Sequence, residues 1–111
     1  MTTSDRIMTT CDCLAALLVA KNKNYGDSAF ESPILCPNLS AEDALWTRLS
    51  DKVKRLRNLR EGNSDLVGES IDDTLRDLAG YAILIMTMRT TEEMMEANDR
   101  LVHGVKDNSL N

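Results

Sequence analysis

Aromatic residues are scarce. Trp46, Tyr25, Tyr81 and Phe30 are the complete set in 111 residues. A core must then come from Leu, Ile, Val, Met and Ala, a mixture that favours helices over sheets. Cysteine is limited to Cys11, Cys13 and Cys36. The odd number, with no Cys-x-x-Cys, predicts reduced thiols in a cytoplasmic protein. Cys11 and Cys13 fall on different sides of a helix and make poor co-ligands. The single histidine, His103, lies near the tail, where a surface position is expected. No Ser/His or Cys/His pairing stands out, so nucleophilic catalysis has no specific support. Positive charge is in deficit, 13 Lys and Arg against 18 Asp and Glu, for a net charge of -5. That balance argues against an extended nucleic acid as partner. Long apolar runs are missing too. The longest, Leu78 to Met88, is too short to cross a bilayer. Ser4, Asp5 and Arg6 precede a segment broken by Asp12, so neither a signal peptide nor a membrane partner is expected.

What remains is an ordinary globular composition, suited to one domain over residues 1–111 with a tail fraying from about 106 to 111. Ile7, Cys11, Leu14 and Leu18 share a face and predict a first helix from Thr3 or Ser4 to about Asn22. Asn22 to Leu39, with Gly26, Pro33 and Pro37, is a long loop for so small a domain. Its Tyr25, Phe30, Ile34 and Leu35 predict packing on the helices. Ser40-Ala41-Glu42-Asp43 reads as a capping box opening a second helix that runs to about Leu59. The third helix is expected from about Leu66 to Arg89, with Ile71, Leu75, Leu78, Ala82 and Ile85 as its seam. Thr90-Thr91-Glu92-Glu93 opens a fourth, ending near His103. The expected fold is all-α, a four-helix bundle-like domain with one long loop. Leu78 to Met88 is apolar all round, and a chain this small has little interior for it, so a homo-oligomer is expected.

Charge is laid out in rows. Between Arg48 and Arg60 stand Arg48, Lys52, Lys54, Arg55, Arg57 and Arg60, with Asp51 as the lone acid. Glu69, Asp73 and Asp77 then recur at four-residue spacing, drifting roughly 40° per step. Glu69, Asp72, Asp73 and Asp77 are hard oxygen donors that could serve Mg²⁺. Equally, acids early in a helix suit the macrodipole and can simply face water, or pair with the basic row. Arg48, Lys52 and Arg55 share one face, and guanidinium groups hold phosphate bidentately. In the loop, Tyr25 could stack on a base, Lys21 or Lys23 could meet a phosphate, and Gly26 permits a positive φ. The alternative there is a helix end with lysines near its dipole and glycine as the stop.

The loop Lys23-Asn24-Tyr25-Gly26, the segment Arg48 to Leu56 and the block from Glu69 to Ala82, above all Asp73-Thr74-Leu75-Arg76-Asp77-Leu78-Ala79-Gly80-Tyr81-Ala82, resemble a family of small phage and bacterial proteins. It is the nucleotide-modification-associated domain of the first kind. The resemblance covers roughly residues 15 to 90 and implies a helical domain tied to nucleotide metabolism. The family is distantly similar to the all-α nucleoside triphosphate pyrophosphatases of the MazG and dimeric dUTPase type, which hold Mg²⁺ on two acidic helix motifs. Glu69-x-x-Asp72 matches the second motif literally, whereas Asp73 aligns better by its distance to Tyr81. The first motif is missing, because Asp51 stands alone among Arg48, Lys52 and Arg55. The leading expectation is therefore a phage-type, oligomeric binder of a phosphorylated nucleotide that acts by sequestration. Its ligand-binding residues would be Lys23, Tyr25, Gly26, Arg48, Asp51, Lys52, Arg55, Asp73, Asp77 and Tyr81. The alternatives are a Mg²⁺-dependent pyrophosphatase using Glu69, Asp72, Asp73 and Asp77, and a structural or host-protein-binding oligomer.

Overall fold

The computed structural model describes residues 1–62 and 70–109. Among these residues the chain is all-α, with four helices and no strand. Helix α1 spans Thr3–Asn24. Thr2 caps it reciprocally, accepting from the Asp5 amide at 3.1 Å while its own amide donates to the Asp5 carboxylate at 2.9 Å. The helix stops at two successive left-handed residues, Gly26 (φ 56°) and Asp27 (φ 61°). The Asn22 side-chain amide ties that turn down by donating to the Asp27 carboxylate. A 3-10 turn, Ser28–Phe30, follows.

Helix α2, Ala41–Arg60, begins where the capping pattern places it, with Ser40 Oγ accepting from the Asp43 amide at 3.0 Å. Helix α3, Ile71–Arg89, begins later than expected. Ser70 is extended and caps it, so the helix cannot run through from Leu66; residues 66–69 lie outside those described. The box is Ser70-x-x-Asp73, the same pattern that opens α2. Helix α4, Glu92–Ser109, is capped by Thr91, whose hydroxyl accepts from the Met94 amide at 3.2 Å. Thr90 instead donates its hydroxyl to the Met86 carbonyl. Helix α4 passes the expected end near His103 and includes most of the stretch expected to fray.

The packed unit is the α2–α3 hairpin. Glu42 at the start of α2 meets Arg89 at the end of α3 at 3.2 Å, and Lys52 meets Asp77 at 3.0 Å, so the two helices run antiparallel. Leu45, 1% exposed, lies between them with Ala44, Ile85 and Thr74. Burying such a leucine is worth roughly 1.5–3 kcal/mol. Thr74 is accommodated because its hydroxyl donates to the Ser70 carbonyl at 2.9 Å.

Helix α1 leans on α3 through its second half only, and no residue of it is fully buried. Helix α4 packs little against the other three, with Glu92 to Gly104 exposed throughout. One expectation is corrected here. Ile34 and Leu35 do not pack on the helices. The Pro33–Leu39 turns carry them outward, where both are almost fully exposed. The apolar run of α3 is only partly covered within the single chain, in keeping with its little interior: Gly80 and Ile85 are buried, but Ile83 and Met86 are exposed.

Candidate functional site

Helices α1, α2 and α3 and the turn after α1 enclose a cavity of about 280 Å³. One glycine lets two of its walls meet. A Cβ at Gly80 would stand 3.1 Å from Leu18 Cδ2, so α1 approaches α3 closely at this point. Leu14, Leu17 and Leu18 of α1 and Leu84 of α3 form an apolar wall. Tyr25, Ser28 and Ala29 come from the turn, and Tyr81 from α3. Tyr25 is exposed at the rim, whereas Tyr81 is half-buried.

The polar lining is cationic although the chain is acidic. Lys21, Arg48 and Arg76 come from three different helices, against one acid, Asp77. Asp77 is already bound to Lys52 at 3.0 Å, with the two side chains 33% and 21% exposed. Arg76 reaches Asp73 at 3.0 Å, one turn back on α3. That contact holds the guanidinium without using all its donors, since an arginine carries five N–H groups. The Asn22 amide completes the polar lining.

The expected ligand-binding residues divide. Tyr25, Arg48, Asp77 and Tyr81 line the cavity, and Lys52 stands behind Asp77. Gly26 forms the turn beside Tyr25 and has the positive φ that only glycine takes without strain. Lys23 and Asp51 are exposed away from the cavity. Arg55 is half-buried two turns along α2 from Arg48 and is not part of the lining. Asp73 belongs to the cap of α3: it receives the Ser70 amide and hydroxyl, the latter at 3.0 Å. Those hydrogen bonds, helped by Arg76, hold its carboxyl below the usual 3.8.

Among the four acids considered for a metal, Glu69 lies outside the described residues, and Asp72 is exposed. Asp73 is committed to the cap and Asp77 to Lys52. Among the described residues no group of three or more His, Cys, Asp or Glu is placed to hold a metal ion. The described donors therefore do not fit the Mg²⁺ cluster that the pyrophosphatase likeness implies. His103 is a surface residue, as expected, though not alone. Its Nδ1 lies 2.8 Å from the Asp99 carbonyl and 3.3 Å from the Asp99 carboxylate.

Four polar lining residues stand outside the expected ligand set: Lys21, Asn22, Ser28 and Arg76. In the sequence Lys21 and Lys23 are equivalent candidates for a phosphate, and the choice turns on where α1 ends. With α1 continuing to Asn24, two residues are about 200° of rotation, so Lys21 and Lys23 face opposite ways. Arg76 sits inside the acidic block, where a reading by rows of like charge passes over it.

No curated protein and no solved structure matches the chain at significant similarity. A family profile does, that of the nucleotide modification associated domain 1, over residues 21–88. The matched stretch begins at Lys21 and carries every polar residue of the cavity lining, leaving only the leucines of α1 outside it. The chain belongs to the nucleotide modification associated domain 1 family.

Proposed function

We propose that this protein binds a small phosphorylated nucleotide in the cavity between α1, α2 and α3, and that it captures the ligand rather than converting it. One observation carries the reading: a leucine and tyrosine wall and three cations, Lys21, Arg48 and Arg76, share one small cavity in an acidic chain. A nucleotide asks for that combination, a flat apolar face for the base and charge-assisted donors for the phosphate. Arg48 and Arg76 take phosphate oxygens with Lys21 beside them. Tyr25 closes over the base from the rim, and Asp77, held by Lys52, accepts from a sugar hydroxyl or a base N–H. Small-molecule sites span roughly 300–1,000 Å³. At about 280 Å³ the cavity suits one nucleotide unit rather than two.

Capture rather than turnover is favoured because Asp73 is engaged in a cap and Asp77 in an ion pair, which leaves Asp72 as the one described acid of α3 outside both. The proposal extends to a homo-oligomeric protein of phage type that sequesters a nucleotide signal of host defence. That extension rests on the family and on the resemblance of its loop and α3 motifs. A nucleotide panel in a thermal-shift assay, with the ligand recovered afterwards, tests the reading. Ligand at a hundred times its Kd adds about 2.7 kcal/mol, which raises Tm by roughly 10 °C. Intact ligand in the recovered fraction is the expected result. No shift with any nucleoside mono-, di- or triphosphate or cyclic nucleotide overturns binding, and Mg²⁺-dependent pyrophosphate release replaces capture with hydrolysis.

A further inference from the structure

The chain exposes far more surface than a folded monomer of its size. At 12.4 kDa roughly 6,100 Å² is expected, and 8768 Å² is accessible. The radius of gyration is 16.8 Å, against about 13 Å for a compact domain of this length. The surplus, roughly 2,600 Å² per chain and so about 5,200 Å² over two, is as large as what the more extensive permanent dimers bury, about 2,000–5,000 Å² or more over both partners.

The surplus is organised into two apolar faces. The first lies on the α2–α3 hairpin. At 100° per residue, Ile71, Leu75, Ala82 and Met86 fall within one narrow arc of α3, on the side opposite Asp77, Gly80 and Leu84, which line the cavity. Trp46 and Val53, seven residues apart, mark the matching side of α2, away from Arg48. Because the helices run antiparallel, both stripes open on the same side of the hairpin. Trp46, Val53, Ile71, Leu75 and Met86 are all exposed, Met86 at 65%.

The second face is on α4. Met94, Met95, Leu101 and Val102 form one stripe of an otherwise charged helix, and all four are exposed, Leu101 at 68%. An isolated amphipathic helix of this length is marginal in water and needs a surface for its apolar side. The two faces fit each other in length: 18 residues of α4 span about 27 Å, against about 28 Å for the 19 of α3. The acids Glu92, Glu93, Glu96 and Asp99 lie on the side of α4 away from that stripe, so the apolar face can dock without burying them.

We infer that α4 of a second copy lies along the α2–α3 face of the first, and reciprocally, so that each hairpin completes a bundle with its partner's fourth helix. The contact is lateral to the nucleotide site and leaves the cavity open on the opposite side of α3. The inference rests on the homo-oligomeric part of the reading above and not on its nucleotide part.

Sedimentation equilibrium with hydrogen exchange on the full chain tests it. The native protein should run at two or more times 12.4 kDa. Amides of α4 should be protected, since a helix without a surface would exchange freely. Leu101→Glu and Met86→Glu should each sediment as monomers. Both side chains are exposed in the single chain, so their replacement does not open its core. Mixing the two variants should restore a dimer, because one intact α4 then meets one intact hairpin face. A monomeric native chain overturns both the oligomeric reading and this interface. A native oligomer with freely exchanging α4, or variants that stay monomeric when mixed, overturns the interface alone.

Discussion

The two sides of the α2–α3 hairpin make an instructive pair. Both are built from the same two helices around the same Leu45–Ile85 core, and they differ in what sits at the edges. On the α1 side, Gly80 lets Leu18 come close, leucines line the cavity beside it, and Arg48 and Arg76 join that lining. On the other side stand Ile71, Leu75, Met86, Val53 and Trp46, all exposed and with no glycine among them. A side with space and a few aimed charges suits a small ligand. A side that presents a stripe of exposed apolar residues suits a second protein surface. Tryptophan follows the same division: Trp46 donates its Nε1 to Glu42 at 3.2 Å, and Glu42 also holds Arg89, so the polar edge of the ring is satisfied and its apolar body is left outward.

The largest expected effect abolishes the comparison by removing what both sides share. Leu45→Ala should cost about 3 kcal/mol in urea denaturation, within the usual range for a buried leucine. With so few buried residues in the single chain, both nucleotide binding and oligomer mass should fall together. A variant that loses one property and keeps the other would show that the two sides do not depend on a common core.

The next effect separates the sides. Arg48→Ala removes a charge-assisted donor from the cavity, worth about 1.5–3 kcal/mol, and should weaken nucleotide binding roughly ten- to a hundredfold in calorimetry. Oligomer mass should not change, because Arg48 lies on the opposite side of α2 from Trp46 and Val53. Gly80→Leu sharpens the same point sterically. Its side chain would enter the space that Leu18 already crowds at 3.1 Å, so binding should be lost by filling rather than by loss of charge. Equal loss in Arg48→Ala and in Lys54→Ala, an exposed cation outside the lining, would reduce the effect to net charge.

Much of this was legible in the sequence, for reasons that can be named. The all-α class follows from the scarcity of aromatics and from three- and four-residue spacing. The start of α2 follows from Ser40-x-x-Asp43. The start of α3 carries the same signal at Ser70-x-x-Asp73, but the apolar Leu66 and Val67 and the acid at Glu69 extend the pattern backwards and hide it. The cavity lining was legible where a residue type is unusual for its surroundings, as with Tyr25 and Tyr81, or stands in a row of one sign, as with Arg48. Arg76 was not, because its role depends on α1 crossing α3 at Gly80, a tertiary contact that no local pattern encodes. Ile34 and Leu35 were read as packed because they are apolar, although their place at a turn between two prolines sends them outward.

The smallest effect concerns the end of α3 where the sides meet. Ser70→Ala removes the hydroxyl that accepts from the Asp73 amide, and a lost cap of this kind costs about 1 kcal/mol. The pH dependence should change with it. Asp73 has a folded carboxyl pKa lowered first by its hydrogen bonds to Ser70, so its contribution to stability is present above the ordinary 3.8 and is lost as pH falls through the lowered value. In Ser70→Ala the main cause of that lowering is gone, and the difference in Tm between variant and native protein should shrink as the pH is taken below 3.8. Asp5, lowered first by the Thr2 backbone amide and then by the Thr2 hydroxyl, caps α1 and is untouched by the substitution. Any acid sensitivity that survives in Ser70→Ala and disappears on adding Asp5→Asn belongs to α1, so the two caps can be titrated apart. A difference that stays constant from neutral to acidic pH would mean that the Ser70 hydroxyl stabilises α3 without acting through the Asp73 carboxylate.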